Sequence, residues 1–261
     1  MHVLIHSSKT MRPAAANTQI TMSVPALLPR ARKLQAYLAS LSLVDIESMM
    51  HVSSALAGVT QQLLRSWTDT PSRLRPAIDS FLGDIYSGLQ VAAWSDEDRT
   101  YAQQHLHILS GLYGVLRPLD GIFPYRLEMG YKTPGFETPN LYAYWAEVIA
   151  STIPDDEIIV DLSAVEYGKT VTKYHDAAQI ITPRFLTISP KTGEPTFVVV
   201  HAKIARGAYA GWIIRNKVAS TQQLRTFNEL GYSYDEEAST PAAPVFICRE
   251  FGGLGLSVRL S

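Results

Sequence analysis

Short apolar runs alternate with longer amphipathic stretches along the chain. Val3, Leu4 and Ile5 form a compact apolar run near the start, and a polar turn over residues 7–10 follows it. Later runs are rich in β-branched residues, a composition typical of strands. They predict strands over residues 157–162, 179–182, 196–201 and 245–249.

Helical spacing of apolar residues predicts the remaining elements. A helix is predicted to begin near Pro25 with Ser23 as its N-cap, because apolar residues follow at intervals of three and four. Ser42 and Asp45 have the spacing of a capping box, which predicts a second helix. Ser95 precedes three acidic residues, which favour the positive end of a helix dipole. Further helices are predicted over residues 54–67, 95–110, 141–149 and 202–218.

The order of these elements predicts the fold class. Strands alternate with helices only in part, and the middle of the chain is mostly helical. This favours a mixed α/β or α+β architecture over a regular doubly wound sheet. The length of 261 residues suits one large domain, so a single domain over residues 1–261 is predicted.

Composition narrows the classes of function. The chain is 46% apolar and 18% charged with a formal net charge of -1, so bulk charge does not draw it to nucleic acid or anionic membranes. The single cysteine, Cys248, excludes an internal disulfide and a cysteine-rich zinc site. No apolar stretch approaches the about 20 residues that span a bilayer, and no secretory signal is predicted. We therefore expect a cytoplasmic protein with no membrane partner, no metal and no cofactor.

Cations follow three of the predicted strands. Lys9 follows the first, Lys169 follows the next, and Lys203 and Arg206 follow a later one. In open sheets, ligands bind outside the carboxyl ends of parallel strands. If these strands are neighbours, the four cations form an anion site suited to phosphate. If they are not, the cations are separate solvated side chains.

A glycine-bearing turn lies within residues 109–120, at the end of a predicted helix. Gly111 and Gly114 either end that helix and reverse the chain or present backbone N–H groups to an anion. Helix–hairpin–helix modules bind DNA phosphates in the second way. The glycine spacing differs from the usual spacing of that module.

Acidic side chains are interspersed with these cations. Arg126 and Glu128 share one face of the alternating segment 124–129, where they either pair with other charges or line a cleft. Residues 83–88 place an acid and a tyrosine between two glycines, as a tight turn or a site. Such mixtures can supply acid–base groups. The candidate catalytic residues are Lys9, Asp84, Tyr86, Glu128 and Glu166.

Several segments together resemble a known family. SGLYGVLRPLD at 110–120, followed by PYRLEMG at 124–130, closely resembles the YaaA family of peroxide-stress proteins. The likeness continues through SKT at 8–10, GDIYSGL at 83–89, AK at 202–203 and ARG at 205–207.

The resemblance implies a fold and a function. The fold would be a single α/β domain of unusual topology, with a positively charged cleft and a helix–hairpin–helix-like element at Gly111 to Pro118. The function would be non-specific binding of the DNA phosphate backbone in the peroxide-stress response. The implied DNA- or anion-binding residues are Lys9, Thr10, Gly111, Gly114, Arg117, Arg126, Lys169, Lys203 and Arg206.

Departures from the family pattern leave two functions open. Tyr174, His175, Asp176 and Ile204 stand where family members tend to be richer in lysine, and fewer phosphate contacts weaken DNA binding. The alternative is an enzyme acting on a nucleotide or another small anionic substrate in the same cleft. A deep, narrow pocket would indicate the enzyme, and an open groove as wide as a duplex would indicate DNA binding. The sequence does not indicate the oligomeric state.

Overall fold

A computed structural model describes residues 1–15 and 21–254. Its strands are β1 His2–His6, β2 Thr10–Met11, β3 Arg75–Pro76, β4 Phe81–Leu82, β5 Leu106–Ser110, β6 Gly114–Leu116, β7 Gly121–Ile122, β8 Ile159–Asp161, β9 Ile180–Ile181, β10 Arg184–Ile188, β11 Pro195–Thr196, β12 Tyr232–Thr240 and β13 Ala243–Cys248. Its α-helices are α1 Leu28–Ser40, α2 Leu43–Met50, α3 Ser54–Arg65, α4 Ala77–Ser80, α5 Asp84–Leu89, α6 Asp96–His105, α7 Leu141–Trp145, α8 Val165–Thr172, α9 Val199–Asn216 and α10 Thr221–Leu224. The predicted mixed α/β class is confirmed.

The larger sheet has the order β6-β5-β1-β8-β9. β1 pairs in parallel with β5 and with β8, β8 pairs in parallel with β9, and β6 is antiparallel to β5. The apolar run Val3, Leu4 and Ile5 is fully buried at the centre of this sheet. A parallel strand covered on both faces reads as a continuous apolar run, which explains this sequence signal.

The second sheet has the order β11-β10-β13-β12. β10 is parallel to β13, and β12 is antiparallel to β13. Helix α9 packs against β10 and also contacts β1. Phe185 of β10 and Tyr209 of α9 have ring centroids 5.6 Å apart, so aromatic packing fixes the helix on this sheet. Helix α9 is thereby held beside the central strand of the larger sheet.

Two observed element boundaries differ from the predicted ones because of tertiary contacts. The helix predicted to reach residue 110 ends at His105, because Leu106–Ser110 pairs with β1 as the buried strand β5. The strand predicted at 196–201 is confirmed only at Thr196, where β11 ends, and α9 begins at Val199. Val199 is 53% exposed on the first turn of that helix, so no sheet contact supports its strand propensity.

Predicted helix starts differ in their outcome. Ser42 and Ser95 both form capping boxes, with Asp45 and Asp98 respectively, which confirms both predicted starts. The helix expected from residue 25 begins at Leu28 instead. Ser23 does not cap it, because its hydroxyl donates to Asp120 Oδ1 at 2.7 Å.

Replacing Ser95 tests the capping box of α6. Ser95→Ala is expected to lower the free energy of unfolding by about 1 kcal/mol, because the N–H of Asp98 loses its acceptor. Ser95→Asn is the matched control, because it keeps a side-chain acceptor and asparagine is about as favourable as serine at an N-cap. Urea denaturation of the three proteins measures the difference. Equal losses in the two variants would mean that the loss does not come from the cap acceptor.

Within residues 1–15 and 21–254, no helix has the length and apolar composition needed to cross a membrane.

Candidate functional site

A cleft lies at the carboxyl ends of β1 and β8. The two strands are parallel neighbours, so the segments that follow them emerge at the same edge of the sheet. Residues 6–9 line the cleft from the β1 side, and Ala164, Glu166 and Tyr167 line it from the β8 side. Its volume is about 380 Å³.

Helices α5 and α9 form one side of the cleft and approach each other closely. Asp84 and Tyr86 line it from α5, and Lys203 lines it from α9. A Cβ on Gly207 would lie 1.8 Å from the carbonyl oxygen of Ile85, so only glycine permits this approach. The helix-propensity cost of glycine in α9 is therefore offset by the contact that places Lys203 opposite α5.

His6 is a neutral imidazole at the base of the cleft. Its Nδ1 accepts a hydrogen bond from the N–H of Ala164 at 3.1 Å, so in the neutral ring the proton is on Nε2. Burial, reinforced by the nearby Arg206 and Lys203, lowers the pKa of His6 to about 3. The ring stacks on Tyr167 with centroids 5.0 Å apart. His6 therefore offers the cleft an uncharged hydrogen-bond donor.

Buried hydroxyl groups support the base of the cleft. Ser110 Oγ and the Tyr125 hydroxyl are 2.6 Å apart. Burial raises the pKa of Tyr125 to about 12, although hydrogen bonds with Ser110 and Ser7 oppose the shift. Burial also raises the pKa of Tyr167, again opposed by a hydrogen bond with Ser7. Both phenols are therefore protonated near neutral pH, and they position the Ser7 turn.

The opposite side of the cleft combines a cation with carboxylates. Lys9 Nζ lies 2.9 Å from Glu128 Oε2, and the Tyr131 hydroxyl donates to the same oxygen at 3.1 Å. The Gly130 N–H donates to Glu166 Oε1 at 2.9 Å. Burial, and then the charge of Glu128, raise the pKa of Tyr131 to about 12. These contacts hold the two carboxylates in defined positions.

The charges that line the cleft are mixed. Lys9 and Lys203 provide two ammonium groups, while Asp84, Glu128 and Glu166 provide three carboxylates. Arg206 lies beside the cleft and donates to the carbonyl oxygen of Ser163 at 3.3 Å. Burial lowers its pKa. The expectation of a positively charged cleft is therefore not confirmed.

Comparison with known proteins assigns the family. The family model described as peroxide stress protein YaaA matches residues 1–238. The chain belongs to the YaaA family of peroxide-stress proteins. A relative from Salinispora tropica, described as a UPF0246 protein, is 51% identical over 259 residues. The match covers 99% of this chain and 98% of that relative.

In this YaaA-family protein, the predicted site residues fall into two groups. The cleft brings together all the candidate catalytic residues and one further cation: Lys9, Asp84, Tyr86, Glu128, Glu166 and Lys203. The cleft lining does not include Thr10, Gly111, Gly114, Arg117, Arg126, Lys169 or Arg206. Of these, Arg206 is the one whose charge acts on His6 at the base of the cleft.

Two of the predicted anion-binding cations have other neighbours. Lys169 Nζ lies 3.8 Å from the ring centroid of Tyr142, in a cation–π contact. Arg117 pairs with the buried Asp120 at 3.1 Å and follows β6. Because β6 runs antiparallel to β5, Arg117 lies towards the amino end of the sheet, away from the cleft.

The helix–hairpin–helix-like element expected at Gly111 to Pro118 is not confirmed. The turn connects two antiparallel strands, β5 and β6, and Gly114 has a φ of +72° that suits the chain reversal. Trp145 Nε1 donates to the Gly111 carbonyl oxygen at 3.0 Å. The turn is buried, and the Tyr113 N–H donates to Ser110 Oγ at 3.0 Å, so this N–H is not available to a phosphate.

Sequence reasoning did not single out His6 or Tyr167 as site residues. His6 is the last residue of β1, and its position at a strand's carboxyl end was the available signal. Tyr167 lies in the first turn of α8, and only the packing of that helix on β1 brings its ring onto His6.

Over residues 1–15 and 21–254, no group of three or more His, Cys, Asp or Glu side chains is arranged to hold a metal ion.

Proposed function

We propose that this protein binds a small polar molecule with an anionic group in the cleft and acts on it by acid–base chemistry, as its part in the peroxide-stress response. The observation that carries the proposal is the size of the cleft, about 380 Å³. Pockets for small molecules and cofactors have volumes of about 300–1,000 Å³. A nucleotide or another small metabolite is of this size.

The mixed charge of the lining supports a small ligand over the DNA backbone. Binding to DNA phosphates needs cations that are not compensated by protein carboxylates. Here Lys9 pairs with Glu128 at 2.9 Å, and Asp84 and Glu166 line the same space. These carboxylates would repel a duplex, whereas hydroxyl or amino groups of a small molecule can hydrogen-bond to them.

The proposed roles follow from chemistry and position. Lys203 binds the anionic group of the ligand as an ammonium donor. Lys9 and Glu128 form an adjacent acid–base pair that can exchange a proton with a bound group. His6 donates a hydrogen bond from Nε2 without changing charge, because its pKa is about 3.

A thermal-shift screen tests the proposal. Nucleotides, sugar phosphates and small carboxylates are added to the wild-type protein at millimolar concentration. A true ligand at 100 times its dissociation constant adds about 2.7 kcal/mol. For a chain of this size, that corresponds to a rise in Tm of about 5–10 °C.

Two variants give the screen its control. Lys203→Ala should weaken the ligand at least about tenfold, because a charge-assisted hydrogen bond is lost. Lys191→Ala, on the exposed turn before β11, should bind as the wild type does. Salt-dependent binding of duplex DNA that Lys203→Ala abolishes, with no small ligand found, would contradict the proposal.

A further inference from the structure

A second pocket adjoins the cleft on the other side of α5. It has a volume of about 790 Å³. Gly83 and Tyr86 line both the pocket and the cleft, so the two spaces meet at the start of α5. The Tyr86 hydroxyl donates to the carbonyl oxygen of His6 at 3.0 Å, which fixes the ring between them. The cleft and this pocket are therefore adjacent spaces that share Gly83 and Tyr86 as part of their walls.

Three guanidinium groups line this second pocket, which we call the arginine pocket. They belong to Arg12, Arg75 and Arg99. Arg99 forms two hydrogen bonds with Asp79, at 3.0 and 3.2 Å, so this pair is internally neutral. Within residues 1–15 and 21–254, neither Arg12 nor Arg75 has a carboxylate within 4.0 Å. Their charges are the ones available to a ligand.

The guanidinium of Arg75 contains a nitrogen atom that makes no hydrogen bond. Its Nε is buried and has no hydrogen-bond partner among the described residues. Leaving a buried charged donor unsatisfied is costly. The residue lies in β3, paired to β7, so its backbone is fixed while its guanidinium remains unpaired. Because Arg75 lines the pocket, an oxyanion there would meet the outer nitrogens of this guanidinium and not its buried Nε.

The arginine pocket and the cleft differ in the sign of their charge. The pocket is lined by three guanidinium groups and by two carboxylates, Asp79 and Asp96. The cleft is lined by two ammonium groups and three carboxylates. A guanidinium can donate two parallel hydrogen bonds to one phosphate, and this geometry favours arginine over lysine for phosphate. The strongest anion subsite is therefore beside the cleft and not within it.

We propose that the arginine pocket is a phosphate subsite, and that the ligand is a small phosphate ester with its phosphate on Arg12 and Arg75 and a second anionic group on Lys203 in the cleft. The assignment of the second anionic group rests on the proposed function of the cleft. The phosphate subsite itself depends only on the arginine pocket. The two parts can therefore be tested separately.

Isothermal titration calorimetry with pyrophosphate tests the subsite. The wild type is expected to bind this probe. Arg12→Ala and Arg75→Gln should each weaken binding at least about tenfold, since each removes a charge-assisted interaction. Arg12 is exposed and its replacement leaves the core intact, so it remains informative if Arg75→Gln does not fold. Arg184→Ala, an exposed arginine on β10, is the matched control and should bind as the wild type does.

A cleft variant separates this proposal from the previous one. Lys9→Ala/Lys203→Ala should retain pyrophosphate binding, because neither lysine lines the arginine pocket. Loss of binding in this variant, or unchanged binding in both arginine variants, would overturn the subsite. Absence of pyrophosphate binding to the wild type would overturn it too, whatever the cleft screen finds. Retained pyrophosphate binding with an empty cleft screen would instead contradict only the proposed function.

A competition arm identifies the source of the phosphate. Short duplex DNA is added at the same phosphate concentration as the bound pyrophosphate. Under the proposal it displaces little of the probe, because Asp79 and Asp96 also line the pocket and repel a polyanionic duplex more strongly than a small phosphate. Full displacement by the duplex would identify the DNA backbone as the ligand. It would overturn the proposal that the ligand is a small phosphate ester.

Discussion

Gly207→Ala is expected to lower the free energy of unfolding by about 3 kcal/mol, the upper part of the usual range for overpacked sites. The new Cβ would lie 1.8 Å from the Ile85 carbonyl oxygen and 2.9 Å from the Leu89 nitrogen. Both atoms belong to the backbone of α5, so a rotamer change cannot relieve the clash. The two helices would have to separate.

Separation of these helices would also alter the cleft. Asp84 and Tyr86 are carried by α5, and Lys203 is carried by α9. Gly88 repeats the contact from the other helix, because its Cβ would lie 2.0 Å from the Ile204 carbonyl oxygen. Any ligand found by the thermal-shift screen should therefore bind more weakly to Gly207→Ala, in addition to the loss of stability.

Gly58→Ala is the matched control for this variant. Gly58 lies within helix α3, and the nearest atom to a Cβ there is a side-chain carbon of Leu43 at 4.0 Å. Removing a helical glycine should raise the free energy of unfolding by about 0.5–1 kcal/mol. Urea denaturation of both variants measures the pair. If Gly207→Ala were as stable as the wild type, helices α5 and α9 could not be as close together as the structure shows.

The free energy of unfolding is expected to fall steeply as the pH drops below about 6.5. Burial lowers the pKa of His6 and of His107 from 6.5 to about 3 in the folded protein. For His107, the nearby His2, His105 and Arg117 reinforce the effect of burial. Between these two values the unfolded chain binds more protons than the folded chain. Stability is therefore complete above the ordinary histidine pKa and is lost progressively towards pH 3.

His107→Gln tests the contribution of one such histidine. One proton taken up on unfolding changes the stability by about 1.4 kcal/mol per pH unit. The slope of stability against pH, measured by urea denaturation between pH 6.5 and 5, should therefore decrease by up to this amount. His107 is 7% exposed and lies away from the cleft, with its Nε2 3.0 Å from His2 Nδ1.

A buried residue that does not titrate provides the comparison. Thr60→Val, within α3, removes a buried hydroxyl and should leave the slope as it is in the wild type. The absolute stability of His107→Gln is not the test, since any core substitution can change it. An unchanged slope in His107→Gln would show that this histidine takes up its proton equally well in both states.

The sequence predicted those elements whose signals are local. The helix starts at Ser42 and Ser95 were identified correctly, because a cap forms between residues three positions apart. The central strand around Leu4 was also found, since a strand buried on both faces is apolar at every position. The boundary at residue 105 was missed, because the pairing of β5 with β1 depends on residues about a hundred positions away.

For the candidate site too, the sequence predicted some residues, and others depend on contacts between distant segments. Sequence position after β1 and β8 suggested that Lys9 and Lys169 share a site, but the structure places Lys9 in the cleft and Lys169 on the ring of Tyr142. Lys203 was expected in the cleft because it was predicted to follow the end of a strand. It lies in the cleft, but it belongs to the first turns of helix α9. The arginine pocket had no sequence signal, because Arg12, Arg75 and Arg99 come from three separate elements.

The sequence by itself determined the family, the mixed α/β class, the capped helix starts and the residue types available for acid–base chemistry. These depend on composition and on spacings of a few residues. Only the tertiary structure decided which charges meet. It placed α5 against α9 through Gly207, it put carboxylates beside Lys9, and it moved Arg117 to the other end of the sheet. Strand order and helix packing fix these positions, and both arise from contacts between residues far apart in the chain.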